Sequence, residues 1–349
     1  MSLVAPLFEG PIDIVGDIHG ESLALDALLT ALGYDQDGQH RSGRRLVFVG
    51  DLVDRGPDSP AVANRVMSLV DRGLAQCVLG NHELNVLRWE SKAGNAWLIE
   101  TDRAEQQPGG EFAHSRVAPK DFKEPFLDFL SSLPLALERP DLRVAHAAWV
   151  KGEIGALREA ERPTLDVYTK YDKATRAQLA MEGITDRARE ESGRWRRALH
   201  DRHAKVELLS AVGERDERMQ MGNPVRVVTS GVERLASKPF WASGQWRMCD
   251  RVKWWDDYRD ETAVVVGHYW RRLRPIPGSD HAASKPELFH GVHPLAWLGP
   301  RETVFCLDYS VGARYEERKK GITQFETQLA ALRWPERQVW GEKGLLNVP

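Results

Sequence analysis

The segment Ile12-Asp13-Ile14-Val15-Gly16-Asp17-Ile18-His19-Gly20, residues 12–20, joins a short apolar run to a glycine-rich turn that carries an acid and an imidazole. Leucines then recur at i, i+3, i+4 and i+7, at Leu25, Leu28, Leu29 and Leu32. This spacing is typical of one helix face, and Gly33 stands where a helix C-cap belongs. The pattern predicts a strand, a polar turn and a helix, in that order.

The same unit recurs twice. A second apolar run, 46–49, ends at Gly50-Asp51, and Pro60 opens a helical pattern that stops before Gly73. A third run, 77–79, ends at the segment 80–83, Gly-Asn-His-Glu. Strands that alternate with helices of about a dozen residues are typical of βαβ units and parallel pairing, so we expect an α/β fold. In such sheets ligands bind beyond the carboxyl ends of the strands, where all three polar clusters fall.

Further strands are predicted at 143–147, 225–228 and 263–266, with 304–307 as the last. Between them, residues 153–220 hold 28 charged side chains among 68 residues, 14 of each sign. Such a neutral, charge-rich mixture is typical of exposed helices with intrahelical ion pairs. We therefore predict one catalytic domain over 1–349 with a charge-rich helical insertion at 151–222. Pro163, Gly183, Gly193 and Gly213 would divide this insertion into short helices.

Composition excludes several classes of protein. The chain has 349 residues and a formal net charge of -3, without the basic excess of a nucleic-acid binder, so no stable nucleic-acid partner is expected. Its three cysteines, Cys77, Cys249 and Cys306, form no CxxC pair, which is typical of reduced thiols. No signal peptide and no apolar run of membrane-spanning length is visible, so we expect a cytoplasmic protein with no membrane partner. The oligomeric state is left open.

Six potential metal ligands follow predicted strands. Two aspartates, one asparagine and three histidines would gather at one sheet edge: Asp17, His19, Asp51, Asn81, His146 and His268. Six ligands match two adjacent ions that share a bridging carboxylate, the arrangement that clamps the attacking and leaving oxygens of a phosphoryl displacement. Mixed oxygen and imidazole ligands suit first-row divalent ions, with manganese expected first and iron, zinc or nickel as alternatives.

Three further residues fit the same reaction. Arg55 could hold a phosphate by two hydrogen bonds. His82, next to Asn81, could protonate the leaving oxygen, and Asp54 could set the tautomer of that imidazole. The alternative for the residues of the three blocks is an ordinary role in turns, caps and surface ion pairs, which three such blocks in order disfavour. For His146, which lies in an apolar run, the alternative is a core histidine.

The three blocks resemble the GDxHG, GDxxDRG and GNHE signatures of PPP-type, calcineurin-like metallophosphoesterases, which include protein Ser/Thr phosphatases and bacterial symmetrical diadenosine tetraphosphatases. Residues 16–20, 50–56 and 80–83 carry the resemblance in the family's order. The ending Gly267-His268-Tyr269-Trp270 looks like that of the tetraphosphatase branch. After His146 this chain has two alanines where family members usually have a glycine pair or Ala-Gly.

The resemblance implies a helix-flanked β-sandwich and a role for each residue. Asp17 and His19 would hold the first ion, Asp51 would bridge, and Asn81, His146 and His268 would hold the second. His82, paired with Asp54, would be the general acid, and Arg55 would bind the phosphate. The nucleophile would be a hydroxide bridging the two ions.

Hydrolysis of phosphomonoesters, as in a protein Ser/Thr phosphatase, is the expected function, with a phosphoprotein or a small phosphate compound as substrate. Hydrolysis of a dinucleoside polyphosphate is the alternative. A catalytically inactive module that binds a phosphorylated ligand is an alternative of another class. Some of the twelve tryptophans, including Trp241, Trp246, Trp254 and Trp255, could stack on an adenine or could be core residues.

Overall fold

The computed structural model describes residues 2–99, 110–112, 114–242, 244–273 and 288–347. Within those ranges, no helix combines the length and the apolar character needed to cross a bilayer. The strands are β1 (Val4–Pro6), β2 (Ile12–Val15), β3 (Arg45–Phe48), β4 (Ala75–Cys77), β5 (Ala136–Arg139), β6 (Leu142–Ala145), β7 (Glu233–Ala242), β8 (Gln245–Arg251), β9 (Ala263–Val266), β10 (Val304–Cys306), β11 (Ala330–Trp334), β12 (Gln338–Gly341) and β13 (Gly344–Leu345).

The helices follow the expected alternation in the first part of the chain. They are α1 (Ser22–Leu32), α2 (Ser59–Asp71), α3 (Asn81–Leu87), α4 (Lys123–Ser132), α5 (Lys151–Arg158), α6 (Thr164–Met181), α7 (Ile184–Trp195), α8 (Ser210–Met221), α9 (Pro224–Ser230) and α10 (Arg314–Lys319). Gly33 caps α1 in the left-handed conformation, and Pro60 lies in the first turn of α2, as the sequence predicts.

Two sheets form the centre of the molecule. One has the strand order β1-β5-β6-β9-β10 and the other β13-β12-β11-β2-β3-β4. Pairing is parallel from β2 through β3 to β4, and from β6 through β9 to β10. The predicted mixed α/β class is therefore confirmed.

Alternate side chains of the central strands enter two different apolar clusters. Val47 of β3 and Val265 of β9 join one cluster that both sheets share. Leu46 and Val264, one residue earlier on each strand, join a second cluster with α1, α2 and α9. Since successive strand residues face opposite sides of a sheet, the two sheets pack face to face with helices on the outside.

Two strand predictions were wrong. The run 225–228 lies in helix α9, because Asn223 caps its first turn by accepting the Val225 N–H at 3.1 Å and Pro224 suits the first helical position. These cap signals outweigh the β-branched composition of the run. The segment 304–307 is not the last strand, since β11, β12 and β13 follow, and β11 pairs antiparallel with β2.

The charge-rich segment 151–222 is helical in the structure, with α5 to α8. Pro163 and Gly183 precede helices as expected, but Gly193 and Gly213 lie inside α7 and α8. A small apolar cluster joins this region to the β7–β8 hairpin through Val212 and Met248. The division of the chain into one domain with an insertion stays a prediction.

A candidate two-metal centre

The candidate ligands meet at the carboxyl ends of five strands. β2, β3 and β4 lie side by side and parallel in one sheet, and Asp17, Asp51 and Asn81 follow them. β6 and β9 are parallel neighbours in the facing sheet, and His146 and His268 follow those strands. Because the ends of parallel strands share one edge, residues up to 251 positions apart along the chain come into contact.

Asp51 lies between the two halves of this cluster. Its Oδ2 is 3.7 Å from His19 Nε2, and its Oδ1 is 3.4 Å from His146 Nε2. The Oδ1 atom also accepts the backbone N–H of His82 at 3.0 Å. His19, Asp51 and His82 offer ligand atoms within 4.8 Å of one another, and so do Asp51, His146 and His268. Asp51 belongs to both groups, as a shared ligand must.

The imidazoles are oriented by backbone carbonyls. His19 Nδ1 donates to the Val53 carbonyl at 3.1 Å and His146 Nδ1 donates to that of Val49 at 2.7 Å. A carbonyl can only accept, so each Nδ1 carries a proton and each Nε2 is directed at Asp51. Metal-ligating histidines usually have such a partner on the second ring nitrogen.

Asn81 completes the second half. Its Oδ1 is 3.1 Å from His146 Nε2 and 2.8 Å from His268 Nδ1. The backbone N–H of His268 donates to Asp17 Oδ2 at 3.0 Å, which ties the second half to the first. The structure thus brings together all six ligands predicted from the sequence.

The electrostatics of the cluster fit a pair of cations. Burial, followed by the nearby carboxylates of Asp308 and Asp51, raises the pKa of Asp17 well above its usual value. Burial raises the pKa of Asp308 to about 6, with a further contribution from Asp51. Several buried carboxylates that repel one another are stabilised by a positive charge placed between them. Carboxylate oxygens, an amide oxygen and imidazole nitrogens are suitable ligands for first-row divalent ions.

His82 lies beside the cluster, and each of its ring nitrogens contacts a side chain. Its Nδ1 donates to Asp54 Oδ2 at 2.6 Å, which places the proton on Nδ1 because a carboxylate only accepts. Its Nε2 accepts from Arg55 Nη2 at 3.1 Å. Arg55 Nη1 is buried with no hydrogen-bond partner among the described residues. A buried guanidinium donor without a partner suits an anionic ligand.

Backbone strain concentrates at this edge. Positive φ angles, which are costly for residues other than glycine, occur at His19, Asp51, Asp54, Arg55 and His268. Each such residue costs about 1–3 kcal/mol, and its conformation persists only because the surrounding structure holds it. Such strain is typical of functional sites. There a strained backbone can direct a side chain toward the site when an unstrained strand or helix would direct it elsewhere.

Glu83 is a residue of the site to which sequence reasoning assigned no role. It is buried, and its carboxylate accepts the backbone N–H groups of Asp51, Leu52 and Gly80 at 2.8, 2.8 and 3.1 Å, with Val53 N at 3.4 Å. The glutamate lies at position N3 of α3, and a glutamate there that reaches back to the N-cap amide is half of a capping box. That spacing was the signal available in the sequence.

Glu83→Ala is expected to lower the free energy of unfolding by at least about 3 kcal/mol, because each unsatisfied buried donor costs about 1–3 kcal/mol. Urea unfolding of the metal-free protein measures this loss. Glu124→Ala, at an exposed position in the first turn of α4, is the control and should change stability by less than about 1 kcal/mol. Equal effects of the two variants would contradict the bracing role of Glu83.

Two of the tryptophans considered as base-stacking residues are core residues. Trp254 and Trp255 are buried, and the indole of Trp254 donates to the Ala147 carbonyl at 3.0 Å. Trp241 and Trp246 contact each other across the β7–β8 hairpin. The fold therefore accounts for the burial of the first pair without a ligand.

The region of the chain that carries the three motifs is similar to known proteins. The model of the family "Calcineurin-like phosphoesterase" matches residues 10–173. The chain contains a calcineurin-like metallophosphoesterase domain, which confirms the resemblance carried by the three motifs. Proteins of this family use two divalent metal ions.

Named relatives share part of this region. The chain is 36% identical over 151 residues to the asymmetrical bis(5'-nucleosyl)-tetraphosphatase PrpE of Oceanobacillus iheyensis, a match that covers 41% of this chain and 58% of that protein. It is 43% identical over 77 residues to the symmetrical bis(5'-nucleosyl)-tetraphosphatase of Ralstonia nicotianae, covering 22% of this chain and 24% of that protein. The matches thus span little more than half of the relatives' length at most.

Among solved structures, a cold-active protein-tyrosine phosphatase of a psychrophilic Shewanella species aligns with a TM-score of 0.45 and 14% identity. The alignment covers 100% of this chain and 83% of that one.

Proposed function

We propose that this chain is a metal-dependent phosphoesterase that uses two divalent ions to hydrolyse a phosphate ester or anhydride. The observation that carries the proposal is the position of Asp51, whose two carboxylate oxygens face one ligand group each. The family match supports the same reaction class.

Six residues would hold the ions. Asp17 and His19 would bind one ion, Asn81, His146 and His268 would bind the other, and Asp51 would bind both. When bound, two such ions polarise phosphoryl oxygens and activate water as the nucleophile. We propose manganese first, with iron, zinc and nickel as ions that the same ligands accept.

The chain's own groups would then bind the phosphate and assist departure of the leaving group. Arg55 would donate to two phosphoryl oxygens through its fork, one of whose nitrogens has no partner among the described residues. Once Arg55 has turned away, His82 Nε2, the ring nitrogen opposite the one held by Asp54, would take up a proton from solvent and donate it to the leaving oxygen. Arg55 Nη2, which contacts that nitrogen, would turn from His82 to the phosphate.

For the substrate we propose a dinucleoside polyphosphate, ahead of the phosphomonoester that the sequence favoured. Both relatives described above are named as bis(5'-nucleosyl)-tetraphosphatases, and they share the motif region of this chain. The phosphomonoester stays the second candidate because the three motif blocks are equally typical of protein phosphatases. An inactive binding module is disfavoured, since all six ligands and His82 are competent residues.

Activity assays with added Mn²⁺ test both the reaction class and the choice of substrate. They compare hydrolysis of diadenosine tetraphosphate, a phosphoserine peptide and p-nitrophenyl phosphate, with EDTA as the control. We expect kcat/KM to be at least about tenfold higher for the dinucleotide than for the peptide, a difference of about 1.4 kcal/mol in transition-state binding. A preference for the peptide would overturn the substrate choice. No hydrolysis of any substrate would overturn the phosphoesterase itself.

A further inference from the structure

Asp54 is wholly buried, and both of its carboxylate oxygens are bound by side chains. Oδ2 accepts from His82 Nδ1 at 2.6 Å, and Oδ1 accepts from the indole Nε1 of Trp97 at 2.6 Å. The backbone N–H of Asp54 donates to Ser59 Oγ at 2.9 Å. Asp54 is therefore held at three points, and two of them orient its carboxylate.

Trp97 is itself held firmly. Its side chain is buried, and its ring contacts those of Phe122 and Phe126 with centroid separations of 5.9 and 6.0 Å. Its carbonyl accepts the backbone N–H of Ala118 at 2.8 Å. A buried indole that packs against two phenyl rings and is hydrogen-bonded at its backbone has little freedom to rotate, so the direction of its N–H is set by packing.

The chemistry of this donor matters. An indole N–H is neutral and can only donate, so it satisfies one oxygen of Asp54 without cancelling the negative charge. The charge stays available to hold the Nδ1 proton of His82. A guanidinium or ammonium in the same place would compete with the imidazole for that charge.

We propose that Trp97 is a positioning residue for the reaction: through Asp54 it fixes the ring of His82 so that Nε2 faces the leaving oxygen. The inference rests on the proposed function, since it assumes that His82 assists departure of the leaving group. Trp97 would touch neither the substrate nor the metal ligands, and its effect would pass through the Asp54 carboxylate.

A first test needs no catalysis. In the metal-free protein, the Nε1–H signal of Trp97 in a proton–nitrogen correlation spectrum is expected downfield of those from indoles without a carboxylate acceptor, and slow to exchange with solvent. Trp97→Phe assigns the signal by removing it, and Asp54→Asn should shift it upfield. A Trp97 signal that exchanges rapidly, or that ignores Asp54→Asn, would overturn the proposal.

A second test uses leaving groups. Trp97→Phe is expected to lower kcat for an alkyl phosphate about 10- to 100-fold, the usual range for groups that orient another functional residue. KM should change less than about twofold and kcat for p-nitrophenyl phosphate less than about threefold, because an activated leaving group needs little proton donation. Adding Trp97→Phe to Asp54→Asn should lower kcat little further, since both substitutions act through one carboxylate.

Trp334→Phe is the matched control, because Trp334 Nε1 also donates to an aspartate, Asp141 Oδ2, at 2.8 Å in another part of the molecule. Trp334→Phe should change kcat for the alkyl phosphate and for p-nitrophenyl phosphate by the same small factor. If Trp97→Phe folds poorly, replacement of Trp97 alone by β-3-benzothienylalanine keeps the ring shape and exchanges the N–H for sulfur.

The outcomes separate the two proposals. A wild-type protein that hydrolyses no phosphate substrate refutes the proposed function. Suppose that the wild type is active and that the loss of kcat in His82→Asn depends on the leaving group. Equal losses of kcat for both substrates in Trp97→Phe then refute the positioning role alone.

Discussion

Asp51→Asn is expected to reduce metal-dependent hydrolysis by at least about three orders of magnitude while the fold is retained. The variant loses the charge that both ligand groups share, and even one lost transition-state donor costs about 10²–10³ in kcat. The amide still fits the volume of the carboxylate and can accept the His82 N–H through its oxygen. Steady-state kinetics measures the loss, and titration calorimetry with Mn²⁺ should show weaker binding.

Asp58→Asn controls for this substitution in the same loop. Asp58 caps α2 by accepting the Ala61 N–H at 3.0 Å, and asparagine caps helices about as well. Its activity should stay within about twofold of wild type, as is usual for changes outside a site. Wild-type activity in Asp51→Asn would refute the two-metal proposal, since no other described histidine, cysteine, aspartate or glutamate belongs to both ligand groups.

His82→Asn is expected to reduce kcat for alkyl phosphates by about 10²–10⁴-fold, the range usual for loss of a general acid. The loss for p-nitrophenyl phosphate should be much smaller, because its leaving oxygen is weakly basic and departs without a proton. The ratio of the two losses, measured at saturating substrate, is the diagnostic quantity. It reports on the leaving group and is insensitive to the amount of active protein.

His203→Asn serves as its control, since His203 is exposed in the segment between α7 and α8. It should leave the rates for both substrates unchanged. Equal losses for both substrates in His82→Asn would refute the general-acid role and leave the metal proposal standing. The contact of 2.6 Å to Asp54 would then have only a structural role.

Local pattern was sufficient for the first part of the fold. The strand at 12–15 and the helices ending near Gly33 and Gly73 were predicted with nearly the observed bounds, because apolar spacing and caps act over a few residues. Local pattern predicted a strand at 225–228, but this β-branched run follows Asn223 and Pro224 and forms a helix. There the cap and the burial of one helix face outweigh strand propensity.

Residues whose role depends on distant partners were harder to predict. For Glu83 the sequence does carry a local signal, the capping-box spacing at the start of α3, but that spacing does not show which distant amides the carboxylate accepts. For Trp97 the sequence carries no such signal, since 43 residues separate it from Asp54 and no motif links them. A hydrogen bond between such residues depends on how Phe122 and Phe126, at the start of α4, position the indole.

By itself the sequence determined the class of the fold, the three polar blocks after the first strands, and the kind of chemistry they carry. Local spacing specifies strands, turns and caps, and the residue types specify which ions and phosphates they suit. The sequence predicted that His146 and His268 join Asp51 and Asn81, but only the tertiary structure showed that these histidines come from a second, facing sheet and that Trp97 holds Asp54. The physical reason is that packing of the two sheets and the outer helices, which no short segment encodes, determines which distant side chains come into contact.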